Sequence, residues 1–120
     1  MATDLRTTVV PQVEANLPFP RCIAVDFDGT LFVTDFPHIY EPKWDVINRA
    51  KAEQAAGTVL ILWTCRHGEP LNEALRACAE VGLTFDYVNE AEPLRVAYFG
   101  GDARKIGADE YWEDRAVQIA

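Results

Sequence analysis

Cys22-Ile23-Ala24-Val25-Asp26-Phe27-Asp28-Gly29-Thr30 is the stretch that decides the fold. Apolar residues fill successive positions up to Phe27, interrupted only by Asp26, so both faces of the segment need burial. That is the pattern of an interior strand in a parallel sheet, not of a half-exposed strand. The run then stops abruptly at Asp28-Gly29, where a turn is expected.

The pattern returns on the C-terminal side. Thr58 to Trp63 is a second almost uniformly apolar run, Leu83 to Val88 reads as a third strand, and Ile106 to Trp112 leads into a shorter fourth that ends at Glu113-Asp114. Helical spacing fills the gaps between the first three. Pro42 opens a helix with Trp44, Ile47 and Ala50 on one face and Gly57 as its stop. Pro70 opens a second, with Leu71, Ala74, Leu75 and Cys78 on one face and Gly82 as its stop. Residues 31–41 and 89–107 read as loops. The alternation predicts an α/β layer structure around a parallel sheet with right-handed crossovers. Residues 1–20, which carry Pro11, Pro18 and Pro20 without a clear period, read as an N-terminal extension to a single domain over 21–120.

Composition narrows the function. The chain of 120 residues has a formal net charge of −8, which argues against a long nucleic-acid interface, since that needs a basic face. No apolar run approaches the ~20 residues needed to span a bilayer. The N-terminus has no basic-then-apolar design of a signal peptide. Cys22, Cys65 and Cys78 are odd in number and lack C-x-x-C spacing, so they read as buried thiols in a reducing, cytoplasmic setting.

Ligands of open parallel sheets bind beyond the carboxyl ends of the strands. Asp26 and Asp28 follow the first strand, Thr64 the second, and Glu113 and Asp114 the fourth, with Lys105 just before it. Four carboxylates, a hydroxyl and a lysine at one sheet edge suit phosphoryl transfer. Mg²⁺ takes a few carboxylates plus water and substrate oxygens. The ion and Lys105 would offset charge on the phosphoryl group. Asp26 can be a nucleophile and Asp28 a general acid and base. Gly29 lets backbone N–H groups approach a phosphate, and Thr64 can donate to it.

These strings resemble the haloacid dehalogenase superfamily of phosphatases, and its small members without a cap domain, over Arg21 to Ala116. The first motif of that superfamily, D-x-D-G-T, is matched by Asp26 to Thr30, the second by Thr64, and the third by Lys105. The acidic pair is matched by Glu113-Asp114 ahead of Arg115. The resemblance implies a three-layer Rossmann-like fold and a Mg²⁺-dependent phosphomonoester hydrolase working through an aspartyl-phosphate on Asp26. It further implies metal ligands among Asp26, Asp28, Glu113 and Asp114, and a hairpin-like flap near residues 31–41. Glu113 departs from the family's aspartate, which keeps a catalytically weak interaction module open as an alternative. The substrate is expected to be a phosphate ester of unspecified identity, with Gly29 and Arg66 as contacts.

Other strings fail on inspection. Arg66-His67-Gly68-Glu69 is the signature of histidine phosphatases, yet no histidine follows His67 to complete that site. A C-x₅-R loop fails because Leu71 stands six residues after Cys65. A receiver-type, phospho-accepting signalling domain stays a second alternative, although its acceptor aspartate would follow the third strand, where Asn89-Glu90 stand instead.

Overall fold

The computed structural model describes residues 17–119. In chain order the elements are β1 (Cys22–Val25), β2 (Phe32–Asp35), β3 (His38–Pro42), α1 (Trp44–Ala55), β4 (Val59–Leu62), α2 (Gly68–Glu80), β5 (Tyr87–Val88), α3 (Pro93–Phe99) and β6 (Glu110–Trp112). Four strands form one parallel sheet in the order β5-β4-β1-β6, and β2 and β3 form a separate antiparallel hairpin.

The alternation of side chains along β1 and β4 divides the core in two. Ile23, Val25, Leu60 and Leu62 point to the face covered by α1 and α2, where they meet Ile47, Ala50, Ala74 and Cys78. Cys22 and Ile61 point to the other face and meet Ile106, with Tyr87, Ala91 and Ala108 packed around them. All four residues of β1 are fully buried, as an interior strand of a two-faced sheet requires. Both helical crossovers move the chain from β1 outward through β4 to β5, so right-handedness places α1 and α2 on the same face. The thinner opposite layer is built by the 89–108 segment with α3.

Several expected boundaries shift, for physical reasons. Pro42 closes the hairpin instead of opening the helix, and α1 starts at Trp44 with Lys43 as its N-cap. Trp44 is half exposed beneath the Lys51 ammonium and does not share the buried face of Ile47 and Ala50. The third strand shrinks to two residues because Asp86 replaces strand pairing with its side chain. Its Oδ2 accepts from the Leu60 N–H at 2.9 Å while its own N–H donates to the Leu60 carbonyl.

The expected loop at 89–107 contains α3. Glu92 caps this helix by accepting from the Arg95 N–H, Pro93 begins it and Gly100 ends it at φ 78°. Residues 31–41, read as a loop from their own composition, form the hairpin that the family resemblance implied. Of the extension, residues 1–16 lie outside the described residues. Its end is tied down: Phe19 packs edge-on to Tyr98 and carries the Arg95 guanidinium over its ring at 4.4 Å. Among the described residues no helix is long and apolar enough to cross a membrane.

Candidate active site

The parallel ladder brings the acidic residues together by register. Val25 pairs with Trp112 and with Leu62. One step further, the Asp26 N–H donates to the Trp112 carbonyl at 2.9 Å and the Trp63 N–H to the Val25 carbonyl at 2.8 Å. Asp26 therefore lies between the chain leading to Glu113-Asp114 and the chain leading to Thr64. A cleft of about 720 Å³ opens there, lined by Asp26, Asp28, Gly29, Thr64, Glu113 and Asp114 and walled by Phe36 of the hairpin and Trp63.

Gly29 shapes the floor. Its φ of +76° is one that only glycine adopts without strain, and a Cβ built there would lie 2.1 Å from Asp114 Oδ2. The Asp114 carboxylate thus sits directly against the backbone of the first loop. Lys43 secures the same loop by donating to the Gly29 carbonyl at 2.8 Å.

Thr64 is held by a residue that the sequence reading used only to exclude a receiver. Asn89 accepts from the Thr64 N–H and donates to the Thr64 carbonyl, both at 2.9 Å. Its backbone at φ 53° is one that Asn tolerates better than most residues. The Thr64 hydroxyl oxygen accepts from the Arg66 N–H at 3.0 Å, which leaves its proton available to a ligand.

Electrostatically the cleft is lopsided. Asp26, Asp28, Asp35, Glu113 and Asp114 line it, and Arg115 is the one basic side chain among the lining residues. Burial, which the Phe27 N–H counters only in part, pushes the Asp26 carboxyl up to about 6, with further push from the charges of Asp114, Asp28 and Glu113. Asp28 goes the other way. Burial works against its charge, but the Arg66 guanidinium and the Thr34 hydroxyl outweigh that and hold the carboxyl below its ordinary range.

Such a cleft fits a hard cation. Among the described residues no three His, Cys, Asp or Glu side chains converge into a ready-made metal cage. Mg²⁺ does not need one, since it is commonly held by one or two carboxylates and keeps several waters. Asp26 and Asp114, close enough to raise the pKa of Asp26, offer that pair, with Glu113 beside them.

Two expected site residues stand elsewhere. Arg66 does not line the cleft: its side chain is 1% exposed and its guanidinium is committed to Asp28 and to backbone carbonyls. Lys105 is not among the residues lining the cleft. Its ammonium lies 5.3 Å from the centre of the Tyr111 ring, and Tyr111 in turn packs on Trp63 at the cleft wall. Of the three cysteines, Cys22 and Cys78 are buried, and burial pushes their thiols up to about 11 and about 12. Cys65, expected to be buried, is exposed and lines the cleft. Asp109, just ahead of the last strand, accepts from the Cys22 N–H and pairs with Arg95 at the opposite end of the sheet.

Fold and site together define an α/β protein with an acidic cleft at the carboxyl edge of a parallel sheet. No family model and no curated protein matches the chain. A solved structure, that of a conserved protein from Bacteroides thetaiotaomicron, matches it with a TM-score of 0.71 and 37% sequence identity over 82% of this chain and 79% of that one. The chain belongs to the same family as that conserved protein.

Proposed function

We propose that the protein is a Mg²⁺-dependent phosphatase of the haloacid dehalogenase type, without a cap domain, in which Asp26 is the nucleophile. The observation that carries the reading is the register. It sets a half-buried carboxylate with a raised pKa between the Thr64 and Glu113-Asp114 loops, in a cleft too acidic to admit a phosphate without a cation. Bound at Asp26 and Asp114, Mg²⁺ would offset the charge of both the carboxylates and the phosphoryl oxygens.

In the first step an Asp26 oxygen bonds to phosphorus as the bond to the leaving alcohol breaks. The Thr64 hydroxyl donates a hydrogen bond to a phosphoryl oxygen, and Arg115 adds positive charge from the cleft lining. In the second step water attacks the aspartyl-phosphate, and Asp28 takes the water's proton as phosphate departs. The ionised state imposed on Asp28 by Arg66 suits this second step. To protonate a leaving alkoxide in the first, Asp28 must gain a proton against the pull of Arg66. With the β2–β3 hairpin as the one insertion between β1 and α1, the cleft stays open to a bulky phosphate ester.

The test is hydrolysis of a panel of phosphate esters with and without Mg²⁺ by the wild type and Asp26→Asn. Magnesium-dependent turnover that falls by at least about a thousandfold in Asp26→Asn is the expected result. Full activity in Asp26→Asn would sink the mechanism. Tight Mg²⁺ binding without turnover of any ester would favour the interaction module that Glu113 leaves open.

A further inference from the structure

Arg66 is the most thoroughly buried charge at the site, and its connections reach further than Asp28. Its Nε donates to Asp28 Oδ2 at 2.9 Å and its Nη2 to Asp28 Oδ1 at 2.8 Å, a two-point fork. The remaining donors reach the carbonyl of Pro37 at the hairpin turn and that of Pro70 in the first turn of α2. The guanidinium is sandwiched between rings, 5.0 Å from the centre of buried Phe27 and 5.0 Å from that of Phe36. Phe36, 62% exposed at the hairpin turn, lines the cleft with Thr34 and Asp35.

We infer that Arg66 is a positioning residue that fixes the Asp28 carboxylate and the turn of the β2–β3 hairpin as one unit, so that a substrate pressing on the hairpin acts on Asp28. The inference rests on the phosphatase reading, and it adds the hairpin as the element through which that site senses its ligand. Lysine cannot stand in for Arg66, because a single ammonium has neither the planar fork that grips both carboxylate oxygens nor the flat faces that stack between two rings. The competing possibility is a buried arginine that merely staples the fold. The two differ in which chemical step they touch.

With p-nitrophenyl phosphate the first step forms the Asp26 oxygen–phosphorus bond and expels p-nitrophenolate, which leaves as an anion and needs no proton. In the second, a water oxygen bonds to phosphorus, the bond to Asp26 breaks, and the water's proton passes to Asp28. Misplacing Asp28 therefore slows the second step alone.

The experiment is rapid mixing of p-nitrophenyl phosphate with the Mg²⁺-loaded wild type, Arg66→Lys and Phe36→Ala, alongside hydrogen exchange over residues 32–42. In Arg66→Lys we expect a burst of p-nitrophenolate equal to the folded enzyme, then a steady state about tenfold to a hundredfold below wild type. Phe36→Ala changes an exposed ring and should fold normally, with a smaller loss in the same direction and faster hairpin exchange. Burst and steady state falling by the same factor in Arg66→Lys, or neither changing, would overturn the inference in favour of a staple. Should Arg66→Lys not fold, unchanged turnover and unchanged hairpin exchange in Phe36→Ala overturn it equally. A wild type with no Mg²⁺-dependent turnover would instead remove the phosphatase reading. Hairpin exchange then decides the tie alone: acceleration in both variants supports it and no change refutes it.

Discussion

At Gly29 a single hydrogen in place of a side chain decides whether two distant loops can touch. The residue holds φ +76° and leaves room for Asp114 Oδ2 where any Cβ would stand. Gly29→Ala should therefore act twice. The backbone strain costs about 1 to 2 kcal/mol of stability, read as a lower midpoint in denaturant. The displaced Asp114 carboxylate weakens Mg²⁺ binding by at least about tenfold in a metal titration. A variant that loses stability but binds Mg²⁺ as tightly as wild type would show that Asp114 is not a ligand. Asp26, Asp28, Gly29, Thr64 and the acidic pair could be found in the sequence because each directly follows an apolar run, and strand ends are local features. Arg66 and Asn89 could not be placed that way. Their partners lie 38 and 25 residues distant, and only the completed sheet edge brings the groups within reach.

Among the elements that failed to announce themselves, β5 and α3 have backbone groups satisfied by side chains. β5 is two residues long because Asp86 stands in for a strand neighbour of Leu60. α3 has no buried residue, so it lacks the apolar stripe by which α1 and α2 are recognised, and its marks were Pro93 at the start and Gly100 at the end. Asp109 does for β6 what Asp86 does for β5, and more. Its Oδ2 accepts from the Cys22 N–H at 2.8 Å and pairs with Arg95 Nη2 at 2.7 Å, joining β1, β6 and α3 at the sheet's amino end. Removing that carboxylate strands a buried N–H at the start of β1 and leaves Arg95, 11% exposed, without its counter-charge. Asp109→Ala should cost about 2 to 3 kcal/mol in denaturant unfolding. Because the site is at the other end of the strands, kcat per folded molecule should not change. A fall in kcat with stability intact would assign Asp109 to the site instead.

For the whole molecule, the acidic cleft sets stability against function, and pH and metal expose the conflict. Folding moves Asp26 into a site where burial and neighbouring carboxylates lift its pKa to about 6. An unfolded chain releases that proton near pH 4. Between these values the folded state holds more protons than the unfolded one, so stability from this group falls as pH rises. The contribution is complete below about pH 4 and lost above about 6. Asp28, Glu53 and Glu110, whose pKa values are lowered, favour the folded state in the opposite sense and lose their contribution as pH falls. The wild-type curve alone mixes these trends, but its difference from Asp26→Asn isolates the one group. Without metal, Asp26→Asn should match wild type in thermal midpoint near pH 4 and exceed it increasingly up to pH 6, with the gap level beyond. Saturating Mg²⁺ should raise the wild-type midpoint above pH 6 and close the gap, since a ligand at a hundred times its Kd stabilises by about 2.7 kcal/mol. The Asn variant, lacking one oxygen ligand and its charge, should respond less. Parallel midpoints across pH 4 to 7 without metal would mean that Asp26 is not strained by its neighbours, and equal Mg²⁺ responses that it is not bound to the ion.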